Sequence, residues 1–143
     1  MQTIVFERVT PSNANLKGLF NLLQKRKYTI SHLELPSFQE HTEFVINHPY
    51  RIWDLCLIND EIVGSYYITY QNSVGIDLGN CNRDILEEIV NHIYRNYKPV
   101  KEEKSIVPGY FYFNIPFLNN TILDDMKSLG FEPIQISLRR KKK

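Results

Sequence analysis

Long apolar runs are missing from this sequence of 143 residues. No stretch approaches the roughly 20 residues that a helix needs to cross a bilayer. The opening "MQTIVFERVT" has neither the apolar core nor the small-residue cleavage site of a secretory signal. A cytoplasmic protein without a membrane partner is therefore expected. An excess of charge is missing as well: 17 basic and 16 acidic residues leave a formal +1. Such a balance produces no strong field and argues against broad nucleic-acid binding. The closing "RRKKK" reads as a solvated tail. Cysteine is scarce. Cys56 and Cys81 lack metal-pair spacing and read as reduced thiols, Cys56 packed within an apolar strand. His41 and His48 stand two helical turns apart, a poor arrangement for sharing a metal, and are expected at the surface. No metal site is expected.

The composition that remains is 43% hydrophobic and 23% charged, ordinary for a soluble globular chain. Aromatic residues, at 13%, are abundant enough to line a cleft with polar edges. The length suits one domain with its own core, taken as 1–143.

Hydrophobic period supplies the order of elements. "TIVFERV" alternates as a first strand, and "TPSNAN" turns into a helix whose face is Leu16, Leu19, Phe20 and Leu23, running to about Lys27. Ser37 and Glu40 form a capping box for a second helix that stops before Pro49. "IWDLCLI", "IVGSYYITY" and "SVGIDLG" read as a three-strand meander, its first turn at Asn59-Asp60-Glu61. From Asn82 the period lengthens to that of a helix carrying Ile85, Ile89, Ile93 and Tyr97. "KPVKEEKSIVPG" is a charged connection expected to be mobile, and "YFYFNI" a strand buried on both faces. Asn119 or Asn120 caps a last helix that Gly130 ends, and "FEPIQISLRR" is expected to close the sheet. The order is β-α-α-β-β-β-α-β-α-β. It predicts an α/β protein with a mixed sheet and helices on its faces, not a strictly alternating Rossmann fold.

Two stretches carry a resemblance beyond that order. "HPYRIWDLCLINDEIVGSYYITYQNSVGI" (48–76) and "NIPFLNNTILDDMKSLGF" (114–131) resemble the GNAT acyltransferase superfamily. The first is similar to a bacterial branch linked to amino-sugar and surface-polysaccharide synthesis. In the second, Asn114, Asn119, Leu129, Gly130 and Phe131 match the family spacing without a gap. The resemblance implies acyl transfer from acetyl-CoA or another acyl-CoA to a small amine. It implies that "SVGIDLG" and "YFYFNI" are parallel neighbours that splay apart, so that unpaired backbone groups receive the cofactor's amides. Leu78, Gly79, Asn80, Cys81, Asn82 and Arg83 would then receive the pantetheine end and pyrophosphate at a helix N-terminus, with Asn114 and Asn119 flanking the arm.

The same stretches depart from the family pattern. Gly79-Asn80-Cys81-Asn82-Arg83-Asp84 has one glycine where the family loop has two or more. Asn80 and Asn82 tolerate unusual backbone angles in part, Arg83 suits a phosphate, and Asp84 repels one. A weakened anion site is expected. Met126 stands where many relatives carry a tyrosine acid, Ile122 where a serine often precedes it, and Ser73 at a position that is often acidic. If catalysis survives, Tyr67, Tyr70 and Asp77 are the candidate acid and base, although strand tyrosines commonly pack and Asp77 also suits a solvated edge. Two readings stand: an N-acyltransferase acting by direct transfer, and a non-catalytic module of the same fold. The sequence leaves a homodimer open.

Overall fold

Residues 3–26, 35–80 and 82–141 are described by a computed structural model of the chain. The elements follow in the order β1 (Val5–Arg8), α1 (Asn13–Lys25), α2 (Phe38–Asn47), β2 (Ile52–Ile58), β3 (Glu61–Ile68), β4 (Ser73–Leu78), α3 (Arg83–Asn96), β5 (Tyr112–Phe113) and α4 (Asn120–Ser128). One five-stranded sheet has the spatial order β1-β2-β3-β4-β5, antiparallel through β4 and parallel between β4 and β5. Strand alternation divides the apolar residues between two faces. Trp53 and Leu55 pack with Leu16, Leu19, Leu22 and Val45 of α1 and α2. Tyr66, Ile68 and Val74 pack on the other face with Ile89 and Ile93 of α3. A third cluster, of Leu86, Val90, Ile122 and Met126, joins α3 to α4.

Local chemistry accounts for the ends of these elements. Ser37 and Glu40 form the reciprocal capping box at α2 (3.0 and 3.1 Å). Asn59 and Asp60, at φ 51° and 62°, make the two-residue turn between β2 and β3. At the end of α4, Gly130 has φ 97°, and the bonds Gly130 N–H to Lys127 C=O and Phe131 N–H to Met126 C=O form a Schellman closure.

Four expectations are corrected. Residues 132–141 form no strand and are all exposed, because none of them makes a backbone ladder bond to another strand among the described residues. "YFYFNI" pairs only at Tyr112 and Phe113, because the chain diverges from β4 after Asn114. The connection expected to be mobile is held: buried Asn72 donates to the Val100 and Pro108 carbonyls (3.0 and 2.7 Å) and accepts from the Val100 N–H (2.7 Å). His41 is buried rather than exposed, its Nε2 donating to the Leu16 carbonyl at 3.0 Å among Phe20 and Phe38.

Candidate functional site

Strands β4 and β5 part almost as soon as they meet. Their register contains two pairs, Ser73 with Tyr112 and Val74 with Phe113, and the last bond between them is Asn114 N–H to Val74 C=O at 3.0 Å. On the opposite side of β4, bonds from Thr69 to Ser73 and from Gly79 to Val63 fix which residues face β3. By alternation the amides of Ile76 and Leu78 face the gap that β5 leaves. They find no backbone partner among the described residues. Unpaired N–H and C=O groups along a short strand edge require a partner, and an extended amide-bearing chain supplies one.

Side chains of the α1 and α2 face line this opening. Tyr67 lies across Gly75, where any Cβ would collide with its ring and hydroxyl. Glycine at 75 therefore makes room for Tyr67 at the mouth of the gap. Tyr67 stacks on Tyr50 with centroids 4.1 Å apart and planes 9° from parallel. Burial pushes the pKa of both phenols upward, Tyr50 to about 12, so both remain protonated at neutral pH. Tyr112 adds a third phenol beside Tyr67. Asp77 projects from the same face of β4, and its Oδ2 accepts from the Arg26 guanidinium at 2.9 Å.

The expected pyrophosphate end is largely occupied by its own caps. Asn82 Oδ1 accepts from the Asp84 and Ile85 N–H groups (2.9 and 3.3 Å) at the start of α3. Those are two of the donors that a helix N-terminus would offer an anion. Arg83 donates to Ser128 Oγ at 2.8 Å and to Glu87 at 3.1 Å. Cys81 lies outside the described residues.

The structure thus brings Tyr67, Asp77, Leu78, Gly79 and Asn114 to one gap. It sets others apart. Tyr70 is an exposed residue of the β3–β4 turn, at the opposite end of β4 from Leu78. Asn119 caps α4, accepting from the Ile122 N–H at 3.3 Å. Met126 is buried between α3 and α4, so this core position offers no proton donor. Cys56 is fully buried, and burial drives its thiol far above the usual range, consistent with packing. Among the described residues no group of three or more metal-ligating side chains occurs.

Sequence reasoning missed Tyr112, Arg26 and Tyr50. The alternation of "YFYFNI" could have placed Tyr112 opposite Phe113. Nothing in the sequence links Arg26 to Asp77, 51 positions away.

No protein-family model matches the chain, and no curated protein does. Solved structures do. A domain from Methanocaldococcus jannaschii superposes with a TM-score of 0.69 at 17% identity, covering 96% of this chain and 93% of that one. An acetyltransferase from Thermus thermophilus gives 0.61 at 15% identity, covering 94% and 92%. A predicted acetyltransferase with acetyl-CoA, from Clostridium acetobutylicum, gives 0.50 at 12% identity, covering 97% and 96%. The chain shares its fold with these acetyltransferase structures.

Proposed function

We propose that the chain is a cytoplasmic acyl-CoA-dependent N-acyltransferase that acylates a small amine, an amino sugar being the candidate acceptor. The observation that carries this reading is the gap between β4 and β5, edged by the free amides of Ile76 and Leu78. A pantetheine arm has the amides to fill it. When bound, acyl-coenzyme A would supply an activated thioester acyl group.

The residues present fit the arm better than the pyrophosphate. Ile76 and Leu78 offer backbone partners, and Gly79 and Asn80 follow directly where the chain turns toward α3. Asn82 holds two N–H groups that a phosphate would use, so affinity at that end is low for this fold.

Direct transfer requires that the acceptor nitrogen be unprotonated, that it bond to the acyl carbon, and that the carbon–sulfur bond break. Tyr67 stays protonated at neutral pH and stands at the mouth of the gap, which suits it to give its proton to the departing sulfur. The acceptor nitrogen loses its proton to water. Asp77, held by Arg26, orients polar groups of the acceptor.

A second reading, a binding module without catalysis, is favoured by the self-capped start of α3 and by Met126 in the core. Titration calorimetry with coenzyme A, followed by a mass-spectrometric screen of amines incubated with acetyl-CoA, separates the two. Binding with acetylated product supports the enzyme, and binding without product supports the module. No heat at millimolar coenzyme A refutes both.

A further inference from the structure

Arg26 and Asp77 meet beside the gap although 51 positions separate them in the chain. Arg26 is the C-cap of α1, and Asp77 lies on the same face of β4 as Gly75. One hydrogen bond joins them, guanidinium N–H to Oδ2 at 2.9 Å, and the two side chains keep 29% and 20% of their exposure. A guanidinium presents a planar fork of donors, and an ionised carboxylate accepts at both of its oxygens. Among the described residues, most of that capacity is unused.

The wall beside this pair is aromatic and uncharged. Tyr67 and Tyr50 lie stacked, and Phe44 and Trp53 meet the Tyr50 ring edge-on with centroids 5.8 and 5.2 Å away. Burial raises both stacked phenols while the positive charge of Arg26 opposes that rise in each, so the guanidinium stands close to the two rings.

A site with one charge of each sign beside neutral phenols favours a ligand that also carries one charge of each sign. Such a ligand exchanges one ion pair for two: its ammonium takes Asp77, its carboxylate takes Arg26, and no charge is left alone. A purely cationic amine takes Asp77 and leaves Arg26 unpaired against the aromatic wall, which costs free energy where water is partly excluded. Arg26 suits a carboxylate in shape as well, because its fork matches the two oxygens.

We infer that the acceptor is an amine that also bears a carboxylate, the carboxylate held by Arg26 and the ammonium by Asp77 until its proton is lost. This rests on the acyltransferase reading of the gap and narrows its acceptor. Amino sugars that carry a carboxylate and α-amino acids share the required chemistry. Arg26 is then the residue that sets specificity, and it takes no part in the transfer.

Ligand pairs that differ only at the carboxylate test it: 2-amino-2-deoxyglucuronic acid against glucosamine, and α-amino acids against their amides. Each is titrated by calorimetry into the full chain with coenzyme A present, and each is assayed for product with acetyl-CoA. The carboxylate member of at least one pair should bind roughly 10- to 100-fold more tightly than its neutral partner. Which pair discriminates tells a sugar acid from an amino acid. Arg26→Gln should abolish the preference and Arg26→Lys should keep part of it, both with unchanged circular dichroism and little change in KM for acetyl-CoA. Preferential binding without product refutes the transfer reading and leaves this assignment standing. Product formed with equal KM from both members of each pair overturns the assignment and leaves the transfer reading standing. Equal binding, or none, in both pairs also overturns it, as does a preference that Arg26→Gln leaves intact.

Discussion

Asn72 has no exposed surface and a φ of 70°, an angle that asparagine tolerates better than most side chains. Its amide makes three hydrogen bonds to the backbone at Val100 and Pro108, so one side chain ties the loop before β5 to the β3–β4 turn. Asn72→Ala leaves buried backbone groups without partners. It should cost about 1–3 kcal/mol, read as a lower urea midpoint with an unchanged slope. Asn82 makes the opposite kind of prediction. Its side chain holds the Asp84 and Ile85 N–H groups, and glycine at a helix cap costs only a few tenths of a kcal/mol. Asn82→Gly should therefore free two donors and tighten coenzyme A binding by roughly tenfold, about 1.4 kcal/mol, measured by calorimetry. Tyr67→Phe removes the proposed acid. The expected effect is a fall in kcat of about 100-fold with little change in KM for acetyl-CoA. An unchanged kcat would assign the proton to water.

Elements show which parts of the fold are legible from sequence. Helices α1, α2 and α4 begin at Ser12, Ser37 and Asn119, whose side chains accept from N–H groups of the first turn, and such short-range signals are written in the sequence. Strand pairing is not local. The residues of "YFYFNI" are apolar enough for a full strand, yet pairing ends at Phe113, where β5 leaves β4 and opens the gap. The closing segment has strand periodicity but pairs with no strand among the described residues, and periodicity alone does not make a ladder. His41 was illegible for a similar reason: Phe20 and Phe38, which enclose it, come from two helices. Three histidines on helices or their caps carry a pH signature. Burial lowers His41, His48 and His92 below the usual 6.5, so each is neutral in the folded chain at pH 7. Unfolded chains bind these protons near pH 6.5, before folded ones do, so this contribution is complete above about 6.5 and is lost as pH falls through the folded values. Urea midpoints should drop between about pH 7 and pH 5, and His41→Gln should reduce the drop.

Across the whole molecule, the order of elements and the two helical layers follow from hydrophobic period, whereas the resemblance to a known family was carried by residues 48–76 and 114–131. The site was readable only in part. Asp77, Leu78, Gly79 and Tyr67 lie along two adjacent strands, so the meander itself delivers them. Tyr112 and Arg26 arrive from β5 and from the end of α1, through contacts that no local pattern encodes. The central claim is that the gap between β4 and β5 receives the amide arm of an acyl-CoA. Hydrogen exchange of the Ile76 and Leu78 amides, followed by NMR with and without acetyl-CoA, tests it most directly. Both amides should exchange readily in the free protein and become protected on saturation, while the Gly79 amide, already bonded to Val63, changes little. Unchanged exchange at Ile76 and Leu78 with millimolar acetyl-CoA present would contradict the claim.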